Sequence, residues 1–210
     1  MGCGGLTPLY LPNETSVTVA SAVSVIAIDL ETTGLNVASG DRVIEIGAVG
    51  IEDGMVLSEF EQLIRTSRRI SRTVSRVHGI DNKKLQGQPL PHEVFPRFLD
   101  FVGNHVLITH NAAFDLRFLR QEFARLGIRL SNRFICTLKL AQSRLPGLPN
   151  YRLETVARYL LGDLPSDLQL HRALNDARLT ARIWLELERN LGQQDTMLGS
   201  QRKTSSVVDG

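Results

Sequence analysis

A succession of three β-like segments near the N-terminus constrains the fold of this chain most strongly. The run from Val23 to Asp29 is largely apolar and β-branched, as in a buried strand. Segments 42–49 and 55–65 follow after short turns, so residues 23–65 are predicted to form a meander of three strands. A chain that begins in this way builds its core on a sheet.

Strands and helices alternate after the meander. Short helical material with basic faces is expected to about Leu85, and a helix with one apolar stripe is expected over 92–103. A short buried strand over 106–109 leads to a helix capped by Asn111 and ending near Leu126, and a last strand is predicted at 133–136. Further helices are predicted over 137–145, 153–161 and 172–191, with a loop at 164–170. This order predicts an α/β layer with a mixed sheet.

The 210 residues suffice for one domain with short tails. We expect a flexible N-terminal tail over 1–21, a folded domain over 22–191 and a flexible C-terminal tail over 192–210, where apolar periodicity stops. No apolar run reaches the roughly 20 residues of a membrane span. The two cysteines, Cys3 and Cys136, indicate neither a disulfide framework nor a zinc site, which fits a cytoplasmic protein.

Charge is unevenly distributed although the net charge is only +2. Between Arg65 and Lys84, Asp81 is the only acid among seven cations, which are Arg65, Arg68, Arg69, Arg72, Arg76, Lys83 and Lys84. Such a cluster is able to neutralise phosphates. A solvated loop and helix face is the other interpretation, and composition favours it.

Two acids follow each other closely in the first strand. Asp29 and Glu31 are two residues apart, so both side chains point to the same face. Two such carboxylates repel each other unless a cation lies between them, which points to a hard metal ion such as Mg²⁺ or Mn²⁺. A strand that simply ends in solvent is the alternative.

Three further polar residues lie near predicted helix starts. Asp115 and Asp176 each lie in the first turns of a helix, where the helix dipole favours an acid without any function. His171 lies just before the last helix, and a histidine beside an activated water is suited to accept its proton near neutral pH. Taken alone, each of these residues has an adequate structural explanation.

Taken together, five segments of the chain resemble the DEDD-class proofreading exonucleases, the group that contains the epsilon subunit of bacterial DNA polymerase III. The matching segments are 28–34 (IDLETTG), 43–49 (VIEIGAV), 77–80 (VHGI), 110–115 (HNAAFD) and 171–177 (HRALNDA). The three exonuclease motifs occur in the order of that family across roughly 22–190. One branch of the family has a tyrosine four residues before the last acid; here Arg172 occupies that position, so the chain resembles the histidine branch.

The resemblance implies a fold and a set of residue roles. The fold would be ribonuclease H-like, with a mixed five-stranded sheet flanked by helices. Two ions, Mg²⁺ or Mn²⁺, would be held by Asp29, Glu31, Asp115 and Asp176, and His171 would be the general base. The reaction would release nucleoside 5′-monophosphates from a 3′ end. Residues expected to contact substrate are Thr32, Thr33, Leu35, His78 and Phe114, although a turn or core role is as good an explanation for several of them.

The sequence leaves the substrate and the partners open. Single-stranded 3′ ends of DNA, in proofreading or repair, are the first expectation, and an RNA 3′ exonuclease of the same fold is the second. A scaffold that binds nucleic acid or a polymerase without catalysis is the third, and the complete set of acids with His171 argues against it. Residues 194–198 (QDTML) loosely resemble a peptide that binds a sliding clamp, but a plain tail explains them as well.

Overall fold

The computed structural model describes residues 25–166 and 168–204, with side chains described up to residue 189. The predicted N-terminal tail, residues 1–21, lies outside the described residues. Five strands form one sheet in the order β3-β2-β1-β4-β5: β1 (Val25–Thr32), β2 (Val43–Glu52), β3 (Met55–Leu63), β4 (Val106–Thr109) and β5 (Phe134–Cys136). In this part of the chain six α-helices accompany them: α1 (Arg72–His78), α2 (Pro91–Val102), α3 (Ala112–Arg125), α4 (Thr137–Arg144), α5 (Leu153–Leu161) and α6 (Ala173–Thr204).

The sheet is mixed, as predicted. Strands β1, β2 and β3 pair antiparallel, whereas β4 pairs parallel with β1 and β5 pairs parallel with β4. The β2–β3 hairpin turns through Asp53 and Gly54, both at positive φ, which suits the twist of a tight hairpin. The carboxyl ends of β1, β4 and β5 therefore lie at one end of the sheet, where ligand sites of α/β sheets form.

Side-chain alternation divides the core between the two faces of the sheet. Ile26, Ile28 and Leu30 of β1 face helices α2 and α3 and pack with a group of phenylalanines. Val25 and Ala27 face α6. The next odd-numbered positions of β1 are Asp29 and Glu31, so both acids lie on the α6 face.

Strand β1 ends at Thr32, so Asp29 and Glu31 lie near its end, as predicted. Two local predictions differ from the structure. Asn111 precedes α3 at φ 103° without a side-chain capping hydrogen bond; its backbone carbonyl accepts from the Phe114 N–H instead. Helix α6 extends to Thr204, beyond the predicted Leu191, through Gly192 and Gly199, each of which costs a helix only about 1 kcal/mol. In the described residues, no helix is long and apolar enough to span a membrane.

Candidate active site

Asp29 and Glu31 of β1 lie opposite a glycine and a glutamate of the neighbouring strand β2. In the β1–β2 register, Asp29 lies opposite Gly47 and Glu31 lies opposite Glu45. A side chain at Gly47 would collide with α6, because an added Cβ would lie 2.2 Å from the carbonyl carbon of Ala173. The absence of that side chain lets the first turn of α6 rest directly on the sheet beside the two acids.

Helix α6 brings Asp176 to the same place. Asp176 is the fourth residue of the helix and is buried, and its Oδ2 accepts the backbone N–H of His171 at 3.1 Å. Its Oδ1 is buried and has no hydrogen-bond partner in the described structure. A buried carboxylate oxygen without a partner is costly, so this atom is suited to accept a ligand such as a cation.

Asp115 approaches from the other neighbour of β1. It lies in the first turn of α3, directly after β4, and is 4% exposed. The Thr109 hydroxyl at the end of β4 donates a short hydrogen bond to Asp115 Oδ2. Because β4 pairs with β1, this contact fixes the Asp115 carboxylate near the acids of β1.

The pKa values of the four carboxyl groups are raised by burial and, for three of them, also by neighbouring negative charge. Burial raises the pKa of Asp29 well above its usual value, and the charges of Asp115, Asp176 and Glu31 raise it further. Burial is also the main reason that the pKa of Glu31 rises to about 8, that of Asp115 to about 7 and that of Asp176 to about 6. At neutral pH this cluster needs protons or cations to offset its charge.

The donor set fits a divalent cation. Glu31, His171 and Asp176 each offer one ligand atom, and these three atoms lie within 4.8 Å of one another. Carboxylate oxygens are the preferred ligands of Mg²⁺ and Mn²⁺. With the unpartnered Asp176 Oδ1 and the raised pKa values, the residues present suit a divalent cation.

His171 lies at the rim of this cluster. It is exposed, precedes α6, and has a φ of 57°, a left-handed conformation that is uncommon for a residue with a side chain. A cavity of about 530 Å³ opens in front of it, lined by Asp29, Asp176, Leu170 and the start of α5. That volume accommodates a mononucleotide-sized ligand.

The residues expected to contact substrate lie around the same end of the sheet but differ in their exposure and in their hydrogen bonds. The Thr32 hydroxyl donates to the Gly34 carbonyl at 2.6 Å, and the Thr33 hydroxyl donates to Asp41 at 3.2 Å while accepting the Arg42 N–H. Both hydroxyls therefore serve the turn that follows β1. Leu35, in that turn, is 78% exposed.

His78 and Phe114 are more enclosed than Leu35. His78 is buried, and its Nδ1 accepts the Ile80 N–H at 3.0 Å. Its Nε2 is buried without a partner in the described structure, and burial lowers the pKa of the ring. Phe114 is half-buried and stacks on Phe118 with ring centroids 4.9 Å apart.

Two residues that shape the site were not singled out from the sequence. Glu45 is fully buried and accepts two N–H groups of Arg172 at 2.7 and 3.1 Å, and the Ala173 backbone N–H at 3.0 Å. His110 bonds the Thr137 hydroxyl through Nδ1 and the Tyr151 carbonyl through Nε2, which ties the start of α5 to the end of β4. An acid inside the apolar run 43–49 was the available signal for Glu45.

Comparison with known proteins relates this chain to exonucleases and to DNA polymerase III proteins. The family model described as "Exonuclease" matches residues 26–184. The chain is 36% identical to the DNA polymerase III subunit epsilon of Aquifex aeolicus over 163 residues, covering 77% of this chain and 79% of that protein. It is 39% identical over 189 residues, 88% of this chain, to the DNA polymerase III PolC-type of Thermotoga maritima, of which it spans only 13%.

Solved structures share the same fold. Exonuclease X in complex with 5′-overhanging duplex DNA is 29% identical with a TM-score of 0.65, covering 80% of this chain and 93% of that chain. The nuclease domain of 3′hExo, a DEDDh family member bound to rAMP, is 17% identical with a TM-score of 0.70, covering 81% of this chain and 94% of that chain. The ribonuclease H-like architecture that was predicted from the sequence is therefore confirmed.

Proposed function

The chain belongs to the exonuclease family, and from that premise we propose that it hydrolyses DNA from the 3′ end and releases nucleoside 5′-monophosphates. As a member of this family it is a nuclease, a hydrolase of phosphodiester bonds. The observation that carries the proposal is the cluster of Asp29, Glu31, Asp115 and Asp176 with His171 at its rim. A cluster of buried acids with raised pKa values is expected at a catalytic site.

The four acids would hold two divalent metal ions, Mg²⁺ or Mn²⁺. Such ions, when bound, supply positive charge against the phosphoryl oxygens, where negative charge grows in the transition state. Asp176 would ligate through Oδ1, because its Oδ2 is occupied by the His171 N–H. Asp115 would ligate through the oxygen that does not accept from Thr109.

His171 would act as the general base. Its backbone is fixed by the bond from its N–H to Asp176, and its exposed imidazole stands beside the cavity in front of the acids. From there it would take the proton of the attacking water, as an imidazole does near neutral pH. The leaving group is the 3′ oxygen of the next nucleotide, so the released product carries a 5′-phosphate.

Substrate contacts would come from the rim of the site. Leu35 would touch the terminal base, because an exposed leucine next to a site gains by covering an apolar ring face. His78 would donate to a phosphate or sugar oxygen from Nε2, which is buried near the backbone of Thr32. Phe114 would contribute one ring edge. Thr32 and Thr33 would shape the rim that the substrate contacts, since both hydroxyls and the Thr33 N–H are engaged within the turn.

DNA is proposed as the substrate because the relatives that match most of this chain are DNA polymerase III proteins. Matched single-stranded DNA and RNA oligonucleotides of the same sequence test this choice. The proposal predicts faster shortening of the DNA, whereas equal or faster shortening of the RNA would assign the enzyme to RNA 3′ ends. Asp29→Asn, which is expected to shorten neither, controls for a contaminating nuclease.

A polymerase or a sliding clamp is proposed as a partner. The polymerase is suggested by the names of the relatives, and the clamp by residues 194–198, which lie in the part of α6 whose side chains are not described. A peptide of residues 190–210 is expected to bind a bacterial clamp. No binding in a titration with the clamp in excess would remove that part of the proposal.

A further inference from the structure

The cation-rich stretch from Arg65 to Lys84, which we call the basic segment, is held in place by its own apolar contacts and hydrogen bonds. Its buried apolar residues Ile70 and Ile80 pack with Ile44 of β2 and with Leu85, the residue that follows the segment, in a small core of their own. The Asn82 side chain bonds the backbone of Ile70 twice, at 3.0 and 3.1 Å. The basic segment therefore has a defined shape without a ligand.

The outer face of the basic segment carries unbalanced positive charge. All seven of its cations are exposed. Arg68 pairs with Asp41 at 3.2 Å, and the Lys84 ammonium bonds the Gly79 carbonyl at 2.7 Å. Within the described residues, no carboxylate lies within ion-pair distance of the other five, which are Arg65, Arg69, Arg72, Arg76 and Lys83.

A polar cavity lies within this charged surface. Its volume is about 400 Å³, and Arg65, Arg69, Asn82 and Gln86 line it together with a threonine and a serine. The two guanidinium groups are charged donors, the amides and hydroxyls donate as well as accept, and no acid lines the cavity. Donors of this kind suit phosphate oxygens.

The basic segment and the acidic cluster lie at the same end of the sheet. Strand β3 ends at Leu63, which pairs with Glu45, and Glu45 pairs in turn with Glu31. The basic segment begins two residues after Leu63. Helix α1 belongs to the basic segment and ends at His78. The His78 ring lies near enough to Glu45 for the two side chains to interact electrostatically.

We infer that the basic segment binds the phosphate backbone of the nucleic-acid strand upstream of the nucleotide that is removed. This inference rests on the proposed function, because it assumes that the 3′-terminal nucleotide occupies the acidic cluster. The acids repel a polyanion, and an adjacent set of exposed cations attracts it, so a strand of several nucleotides gains affinity that a single nucleotide does not. The basic segment thus selects polymeric substrates.

A charge-neutralised variant tests this inference. The variant replaces four arginines by glutamine: Arg65→Gln, Arg69→Gln, Arg72→Gln and Arg76→Gln. A matched control replaces four exposed arginines elsewhere: Arg97→Gln, Arg129→Gln, Arg133→Gln and Arg182→Gln. The two proteins lose the same net charge, and none of the eight side chains is buried, so both are expected to fold.

Two substrates separate the two binding regions. One is a single-stranded DNA of about 20 nucleotides, longer than the typical site of a single-strand binding fold. The other is thymidine 5′-(4-nitrophenyl phosphate), which fills only the acidic site. We expect the neutralised variant to lose at least about tenfold in kcat/KM on the oligonucleotide, with the nitrophenyl ester hydrolysed as by the wild type. The control variant is expected to keep most of its activity on both.

Binding without turnover gives a second measurement. Anisotropy titrations of the same oligonucleotide against salt are expected to show a slope smaller by about 3 in the neutralised variant, since each phosphate contact on a single strand contributes roughly 0.7. Equal affinity and equal slope in the two quadruple variants would overturn the inference and assign the basic segment to another partner, such as an acidic protein. A wild type that binds the oligonucleotide through this surface but hydrolyses neither substrate would instead overturn the proposed function.

Discussion

Glu45 and Arg172 form a bidentate ion pair that joins β2 to the start of α6, with the shortest contact between Arg172 Nη2 and Glu45 Oε1 at 2.7 Å. Glu45 is fully buried, whereas the Arg172 side chain is 29% exposed. Glu45 also accepts the Ala173 N–H at the first residue of the helix. The pair therefore fixes the backbone between His171 and Asp176, two of the proposed catalytic residues.

Removal of this pair is expected to reduce both stability and activity. Arg172→Ala leaves the Glu45 carboxylate buried and unpaired near Glu31, which costs about 2 kcal/mol or more in the free energy of unfolding. We also expect kcat to fall at least tenfold, because the start of α6 is no longer held to the sheet. Urea unfolding and steady-state kinetics on an oligonucleotide measure the two effects.

Arg178→Ala is the matched control for Arg172→Ala. Arg178 lies on the same helix and pairs with Glu59 at 2.6 Å, but this pair is exposed to solvent. An exposed pair contributes about 1 kcal/mol or less, so Arg178→Ala should change kcat little. Equal losses of activity in the two variants would show that Arg172 has no special part in positioning the site.

The backbone conformation of His171 allows a substitution that separates chemistry from folding. Its φ of 57° is tolerated better by asparagine than by most other residues. His171→Asn is therefore expected to unfold at the wild-type urea concentration while losing at least about a hundredfold in kcat, the usual contribution of a general base. Retention of more than a tenth of the wild-type kcat would argue that another group accepts the proton.

Close packing at Gly47 predicts a strong effect of one methyl group. Gly47→Ala places a Cβ 2.2 Å from the Ala173 backbone, and backbone is unable to rotate away. We expect a loss of about 1–3 kcal/mol of stability. Because α6 must shift, activity should also fall by tenfold or more.

Gly50→Ala in the same strand is the comparison for Gly47→Ala. Its added Cβ would lie 2.3 Å from the Ser58 hydroxyl oxygen, and that side chain is able to change rotamer. The exonuclease activity of Gly50→Ala should stay close to that of the wild type. Similar activities for the two alanine variants would contradict a role of the Gly47 contact in placing the site.

The raised pKa values predict how the metal-free protein responds to pH. Burial raises the pKa of Glu31 to about 8 and that of Asp115 to about 7, so between about pH 5 and pH 8 the folded state binds more protons than the unfolded state. Stability from these groups is therefore fully present at low pH and is lost as the pH rises through 7 and 8. With chelator, the wild-type Tm should fall over this range more steeply than that of Glu31→Gln.

A divalent cation should reverse this loss. Binding to the ionised carboxylates stabilises the folded state, so Mg²⁺ or Mn²⁺ is expected to raise the Tm more at pH 8 than at pH 5.5. Thermal unfolding with and without the ion, at both pH values, measures this. An ion effect of the same size at both pH values would mean that the acids are not its ligands.

The sequence predicted those parts of the molecule that depend on local pattern. The strands and most helix bounds follow from apolar periodicity, and Asp29 and Glu31 share a face because alternation in a strand requires it. The resemblance to exonucleases supplied Asp115, Asp176 and His171 as one set, and the structure brings them to one end of the sheet.

Contacts between distant segments could not be predicted in the same way. Glu45 and Arg172 are 127 positions apart in the sequence, and nothing local marks them as partners. Thr33 was a substrate candidate by its motif, but only the fold shows that its hydroxyl is engaged by Asp41 and Arg42. The length of α6 was underestimated because the helix continues beyond the point at which apolar periodicity stops.

Product identity tests the central claim most directly. A DNA oligonucleotide labelled at its 5′ end and the same oligonucleotide labelled at its 3′ end are incubated with enzyme and Mg²⁺ or Mn²⁺, with chelator and Asp29→Asn as controls. We predict immediate release of a labelled nucleoside 5′-monophosphate from the 3′-labelled strand, stepwise shortening of the 5′-labelled strand, and neither in the two controls. Activity that persists in chelator or in Asp29→Asn, or a first product released from the 5′ end, would contradict the account.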